Sequence, residues 1–79
     1  MKREELEEWA IRHSFTKDKF GHYQKTSLHN EHIRLKLGKT SVRYERKIRV
    51  TDHNEWQRIV SGYYKNLSLT ENDRLSGLK

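Results

Sequence analysis

Apolar and polar residues follow one another along this chain with two different periods. Leu6, Trp9, Ala10 and His13 fall at i, i+3, i+4 and i+7, the spacing of one helix face, and predict a helix over residues 2–13. Glu4, Glu5, Glu7 and Glu8 occupy its first turns, where carboxylates complement the positive end of the helix dipole. Arg12 and His13 sit at the negative end, and Ser14, Phe15 and Thr16 mark the exit. The period then falls to two. Phe20-Gly21-His22-Tyr23-Gln24-Lys25 predicts a first strand within residues 19–26, and Ser27-Leu28-His29-Asn30 a turn. His32-Ile33-Arg34-Leu35-Lys36-Leu37 alternates without a fault and predicts a second strand. Gly38-Lys39-Thr40 turns the chain back into a third strand over residues 41–50. Val42, Tyr44, Ile48 and Val50 share one parity there, and Arg43, Glu45, Lys47 and Arg49 the other. Arg46 interrupts the apolar parity, as a bulge, a strand end or a snorkelling side chain would.

The last third reads in two ways. Asp52 with Glu55 three residues on resembles a helix cap, and Trp56, Ile59, Val60, Tyr63 and Leu67 keep helical spacing. Gly62 weakens that helix by about 1 kcal/mol relative to Ala. The competing reading makes residues 55–60 a fourth strand, paired with 46–50 through Asp52-His53-Asn54. The helix is preferred because the apolar stripe continues past Val60. Residues 68–79 are polar and predict a tail with at most one short turn or helix, around Thr70-Glu71-Asn72-Asp73 and closed by Gly77.

The expectation is therefore an α+β fold of order α-β-β-β-α, one domain over residues 1–67. Short connections make its three-stranded sheet antiparallel, with both helices on one face. Leu6, Trp9, Ala10, Tyr23, Ile33, Leu35, Leu37, Val42, Tyr44, Ile48, Val50, Trp56, Ile59, Val60 and Tyr63 are the expected core.

Composition changes this picture in one respect. The chain has 79 residues, 35% charged and 32% hydrophobic, so one small core is all it can bury. The absence of cysteine excludes disulfides and thiolate metal sites. No apolar stretch follows the basic N-terminal residues, and none approaches the ~18 residues of a membrane span. A cytoplasmic location without membrane contact is expected. The net charge of +6 is concentrated in the middle of the chain. Residues 12–49 hold eleven Lys and Arg against Asp18, Glu31 and Glu45, whereas residues 50–79 hold four of each sign.

Strand alternation gathers that surplus. With Ile33, Leu35 and Leu37 buried, His32, Arg34 and Lys36 point away from the helices, and Arg43, Glu45, Lys47 and Arg49 do the same on the next strand. Arg34, Lys36, Arg43, Lys47 and Arg49 then share one face with a single carboxylate, and Lys25 or His22 extends it from the first strand. Two readings follow. The face contacts the phosphate backbone of DNA or RNA, without helix-turn-helix, zinc-finger or strand-borne aromatic signatures of base readout. Otherwise it is a solvated face that keeps strands soluble on a protein-interaction module or homodimer, joined by a free strand edge or by Trp56 and Tyr64. In the adjacent Tyr63-Tyr64 pair the Tyr63 ring is expected in the core, leaving Tyr64 exposed near Lys65 for protein contact or base stacking.

Other chemistry is sparse. His29-x-x-His32 lacks a third ligand at a telling distance, so no metal or other cofactor is expected. No serine lies in a nucleophile elbow and no glycine-rich phosphate loop is present. His22, beside Gly21 and next to a basic surface, has the chemistry of a general acid or base in phosphodiester cleavage. A helix, a strand bearing Gly21-His22, two further strands and a helix make an order similar to that of HicA-type mRNA interferase toxins. That resemblance implies a double-stranded-RNA-binding-like fold and a metal-independent RNase whose catalytic histidine falls on His22. Phe20-Gly21-His22-Tyr23 lacks the small residue that the family usually carries between Gly and His.

Overall fold

The computed structural model of the chain describes residues 1–26, 31–48 and 56–79. A helix, α1, spans Arg3–Arg12 and is opened by the Lys2 backbone N–H donating to the Glu5 carboxylate at 3.2 Å. Five antiparallel strands follow: β1 Thr16–Lys17, β2 Tyr23–Thr26, β3 Glu31–Leu37, β4 Ser41–Ile48 and β5 Gln57–Tyr63. They lie side by side in chain order. A single 3-10 turn, Tyr64–Asn66, leads to a second sheet of two short strands, β6 Ser68–Leu69 and β7 Leu75–Ser76. Among the described residues no helix is long and apolar enough to cross a membrane.

This architecture corrects the three-stranded, two-helix α-β-β-β-α expectation: among the described residues there is one α-helix, and the main sheet has five strands. Two segments account for the difference. Residues 19–26 are not one strand. The chain bends through Asp18–His22, where the Asp18 carboxylate accepts from the backbone N–H groups of Phe20 and His22 and Gly21 takes φ +82°. Short strands β1 and β2 flank that bend. The second correction is larger. The expected helix from residue 55 onward is β5, paired along β4, so Ile59 and Val60 serve as β-branched strand residues rather than as a helix stripe. Gly62 also has a positional reason, since a Cβ there would lie 2.9 Å from the Gly77 carbonyl oxygen and 3.2 Å from Leu67 Cδ2. The last residues of the chain pack against β5 at that point, and the Ser61 and Lys79 backbones exchange two hydrogen bonds, 2.9 and 2.8 Å.

The core lies between α1 and one face of the sheet. Leu6 and Ala10 of α1 and Phe15 meet Tyr23, Leu35, Leu37 and Val42 from the strands, closed by Tyr64 and Leu67. Cross-strand register explains the grouping. Tyr23, Leu35, Tyr44 and Val60 stand in one row, and Leu37, Val42 and Gly62 in the next. Trp9, Ile33, Tyr44, Leu75 and Leu78 pack at its margin, so residues 68–79 return two apolar side chains to the core. Four residues expected inside do not join the core. Ile59 is 44% and Tyr63 56% exposed, Val60 is half-buried, and Trp56 is half-buried on the opposite face of the sheet from α1. Tyr64 takes the place expected of Tyr63, with its hydroxyl donating to the Gly38 carbonyl at 2.8 Å. The Ile48 side chain and Val50 lie outside the described set.

Candidate nucleic-acid interface

The face of the sheet turned away from α1 is built by strand alternation, with one interruption. On β3, His32, Arg34 and Lys36 alternate with the core residues, and on β4 Ser41, Arg43, Glu45 and Lys47 do so. Register sets His32 beside Lys47, Arg34 beside Glu45, and Lys36 beside Arg43. The interruption is between β4 and β5. Tyr44 faces Val60, but the next residue, Glu45, faces Arg58, leaving Ile59 as an extra, unpaired residue. Without that bulge, Arg58 and Trp56 would share the parity of Val60 and point toward α1. With it, both turn to the outer face.

There they complete a cluster. The Arg34 guanidinium donates from Nε and Nη2 to the same Glu45 oxygen, at 2.9 and 2.7 Å. It also lies 4.3 Å from the Trp56 ring centroid, and Lys47 Nζ approaches the same ring to 5.8 Å. The side chains of Arg34 and Glu45 are only 16% and 7% exposed. The one carboxylate on the outer face, among the described residues, is therefore engaged. Lys36, Arg43 and Arg58 are exposed, Lys47 is half-buried, and no carboxylate among the described residues pairs with any of the four. Like charges on strands about 4.8 Å apart repel, so the cations of this face carry an electrostatic cost that a nearby anion would reduce.

Beyond Arg43 the face opens into a cleft of about 560 Å³ between β5 and the end of the chain. Arg43, Arg58, Ser41, Ser61, Tyr63 and Asn66 line it, with Gly62, Gly77 and Lys79 at its border.

The residues expected at the interface separate into three groups. Arg34, Lys36, Arg43 and Lys47 share the outer face, though Arg34 is committed to Glu45 and Trp56. Arg49 lies outside the described residues. Lys25 is on the opposite side, in register with Ile33, where its ammonium donates to the His13 carbonyl at 3.3 Å and sits 4.6 Å from the Phe15 ring centroid. It supports the helix side of the sheet rather than the basic face. Arg58, Trp56 and Tyr63 join the face without having been anticipated. A strand over 55–63 would have placed Tyr63 there by parity with Ser61, but nothing in the sequence marks the bulge at Ile59.

His22 stands in the bend before β2, not within a strand. Its Nδ1 is enclosed with no hydrogen-bond partner among the described residues. Burial pushes the neighbouring Asp18 carboxyl up, but hydrogen bonds from the His22 backbone, the Gln24 side chain and the Phe20 backbone outweigh it and hold it below its ordinary value. The segment order that carried the likeness to the interferase toxins is absent, because the second helix is β5. The surfaces considered for self-assembly are also changed: Tyr64 is buried, and the outer edge of β5 is bonded at Ser61 by Lys79.

On the helix side, Asp73 joins the β6–β7 hairpin to α1. Its carbonyl accepts from Trp9 Nε1 at 2.7 Å, and its carboxylate meets Arg12 Nη2 and His13 Nε2, each at 3.0 Å. Those two side-chain hydrogen bonds, Arg12 first, hold the Asp73 carboxyl below its ordinary value. No protein-family model, no curated protein and no solved structure matches this chain.

Proposed function

We propose that this chain is a non-catalytic nucleic-acid-binding module whose outer sheet face contacts the phosphate backbone of DNA or RNA. The observation that carries the reading is the inequality of charge on that face. Arg34 satisfies its only described carboxylate, and Lys36, Arg43, Lys47 and Arg58 are left to an external anion. The contacts are to charge and shape. Trp56 adds an aromatic surface, partly covered by Arg34 and Lys47, at the centre of the basic set.

The test is fluorescence anisotropy with labelled single- and double-stranded DNA and RNA, titrated with salt. Binding at low ionic strength is expected, with log affinity falling against log salt at a slope of roughly −3 to −4 if all four cations neutralise phosphates. Absence of binding at low ionic strength for every nucleic acid tried removes the proposal. The same samples, incubated and resolved by size, are expected to show uncleaved RNA.

A further inference from the structure

The cleft beside β5 has a basic lining. Of the seven arginines among the described residues, Arg3, Arg12, Arg34 and Arg46 each have a carboxylate within 4 Å, and Arg43, Arg58 and Arg74 have none among the described residues. Two of those three line this cleft, and no acidic side chain does. Its volume of about 560 Å³ falls in the range of small-ligand sites, roughly 300–1,000 Å³. Planar guanidinium groups chelate phosphate oxygens in pairs, and the Ser41 and Ser61 hydroxyls and the Asn66 amide supply further donors on the same wall. Tyr63 stands at the margin with 56% of its surface exposed, and Lys65 Nζ lies 5.8 Å from its ring centroid.

A duplex presents phosphates to such a surface but keeps its bases stacked inside. An aromatic ring beside a basic recess is of use to a strand whose bases are free. From this we infer that the cleft seats one nucleotide of a single-stranded nucleic acid, its phosphate between Arg43 and Arg58 and its base against Tyr63. The inference rests on the proposed backbone-binding face and names the strandedness of its ligand. The strand then runs from the cleft across Lys36 toward Trp56 and Lys47. Gly77 and Lys79 line the side of the cleft away from β4, with Lys79 bonded to the Ser61 backbone.

The experiment compares a labelled single-stranded oligonucleotide with a duplex of equal length, using the whole chain and the variants Tyr63→Ala, Tyr63→Phe and Arg43→Ala/Arg58→Ala. Both tyrosine substitutions are at an exposed ring, and thermal melts check that the fold is kept. Single strand is expected to bind more tightly than duplex at matched salt. Tyr63→Ala is expected to weaken single-strand binding roughly 5–150-fold, the range for losing one stacked base, with duplex binding unchanged and Tyr63→Phe near the parent. The double arginine variant should lose the preference for single strand. Equal binding of both forms, or indifference to Tyr63→Ala, overturns the cleft assignment while leaving the basic face intact. Failure of any nucleic acid to bind at low salt overturns both.

Discussion

Arg34 lies with its guanidinium 4.3 Å from the centre of the Trp56 ring, on the face of the sheet opposite the helix, while both of its donated side-chain bonds go to one oxygen of Glu45. This arrangement gives two large side chains of the outer face a structural role. Cation–π contact, a charge-assisted hydrogen bond and partial desolvation act on the same guanidinium, so it is held in one orientation.

Glu45→Ala leaves that guanidinium without its acceptor at a site only 16% exposed. Loss of a hydrogen-bonded charged group costs about 1.5–3 kcal/mol. The expected outcome is a lower urea midpoint with an unchanged slope, and a shift in tryptophan fluorescence as the Trp56 environment opens. Trp56→Leu is expected to be milder, about 0.5–1 kcal/mol, because the Arg34–Glu45 bonds survive it.

Lysines on the two sides of the sheet should behave differently. Lys36→Ala or Lys47→Ala is expected to weaken binding to generic nucleic acid and to reduce the salt slope by about 1 each. Lys25→Ala, which removes an ammonium that faces His13 and Phe15, is expected to leave affinity and slope unchanged and to lower the melting temperature instead. A reduced slope for Lys25→Ala would contradict this placement.

Asp73 makes stability depend on pH in a specified direction. Its folded carboxyl is held below the ordinary aspartate value of about 3.9 by Arg12 and His13. A depressed folded value contributes stability that is present above the unfolded value and is lost as pH falls through the folded one. Asp73→Asn tolerates the positive φ of 56° at this position and keeps the backbone carbonyl that Trp9 donates to. The variant is therefore expected to be less stable than the parent at pH 6 by urea titration, with the difference shrinking as pH is lowered below the ordinary aspartate value. A difference of the same size at both pH values would assign the effect to something other than this carboxylate.

Gly77 combines φ +101° with a site where an added Cβ would run into the Asn66 carbonyl. Gly77→Ala is expected to destabilise by about 1–3 kcal/mol, with Tyr64 and Leu67 losing burial as the terminal segment lifts away from β5. Thermal melting tests this. The same variant should also lower affinity for single-stranded oligonucleotide, because Gly77 borders the cleft.

Alternation in residues 32–37 and 41–48 was enough to locate β3 and β4, to pair them, and to put Arg34, Lys36, Arg43 and Lys47 on one face. The helix over Arg3–Arg12 was legible for the same reason, since its periodicity is local and its charges agree with it. Those properties are written in neighbouring residues, and elementary geometry turns them into faces. Residues 56–67 carry no such agreement. Trp56, Ile59, Val60 and Tyr63 satisfy a helical period, and only pairing with β4 favours a strand there. Which outcome prevails depends on hydrogen bonds to a segment distant in sequence and on the packing of Leu67, Gly77 and Leu78 against Gly62. The bulge at Ile59 is the clearest case. It turns Trp56 and Arg58 from the helix side to the basic face, and no residue pattern within the strand announces it. The sequence by itself determined where the positive charge of β3 and β4 would gather. Tertiary structure alone decided that Glu45 would pair with Arg34, that Trp56 would lie over it, and that Arg43 and Arg58 would have no carboxylate beside them among the described residues, because each depends on cross-strand register rather than on order along the chain.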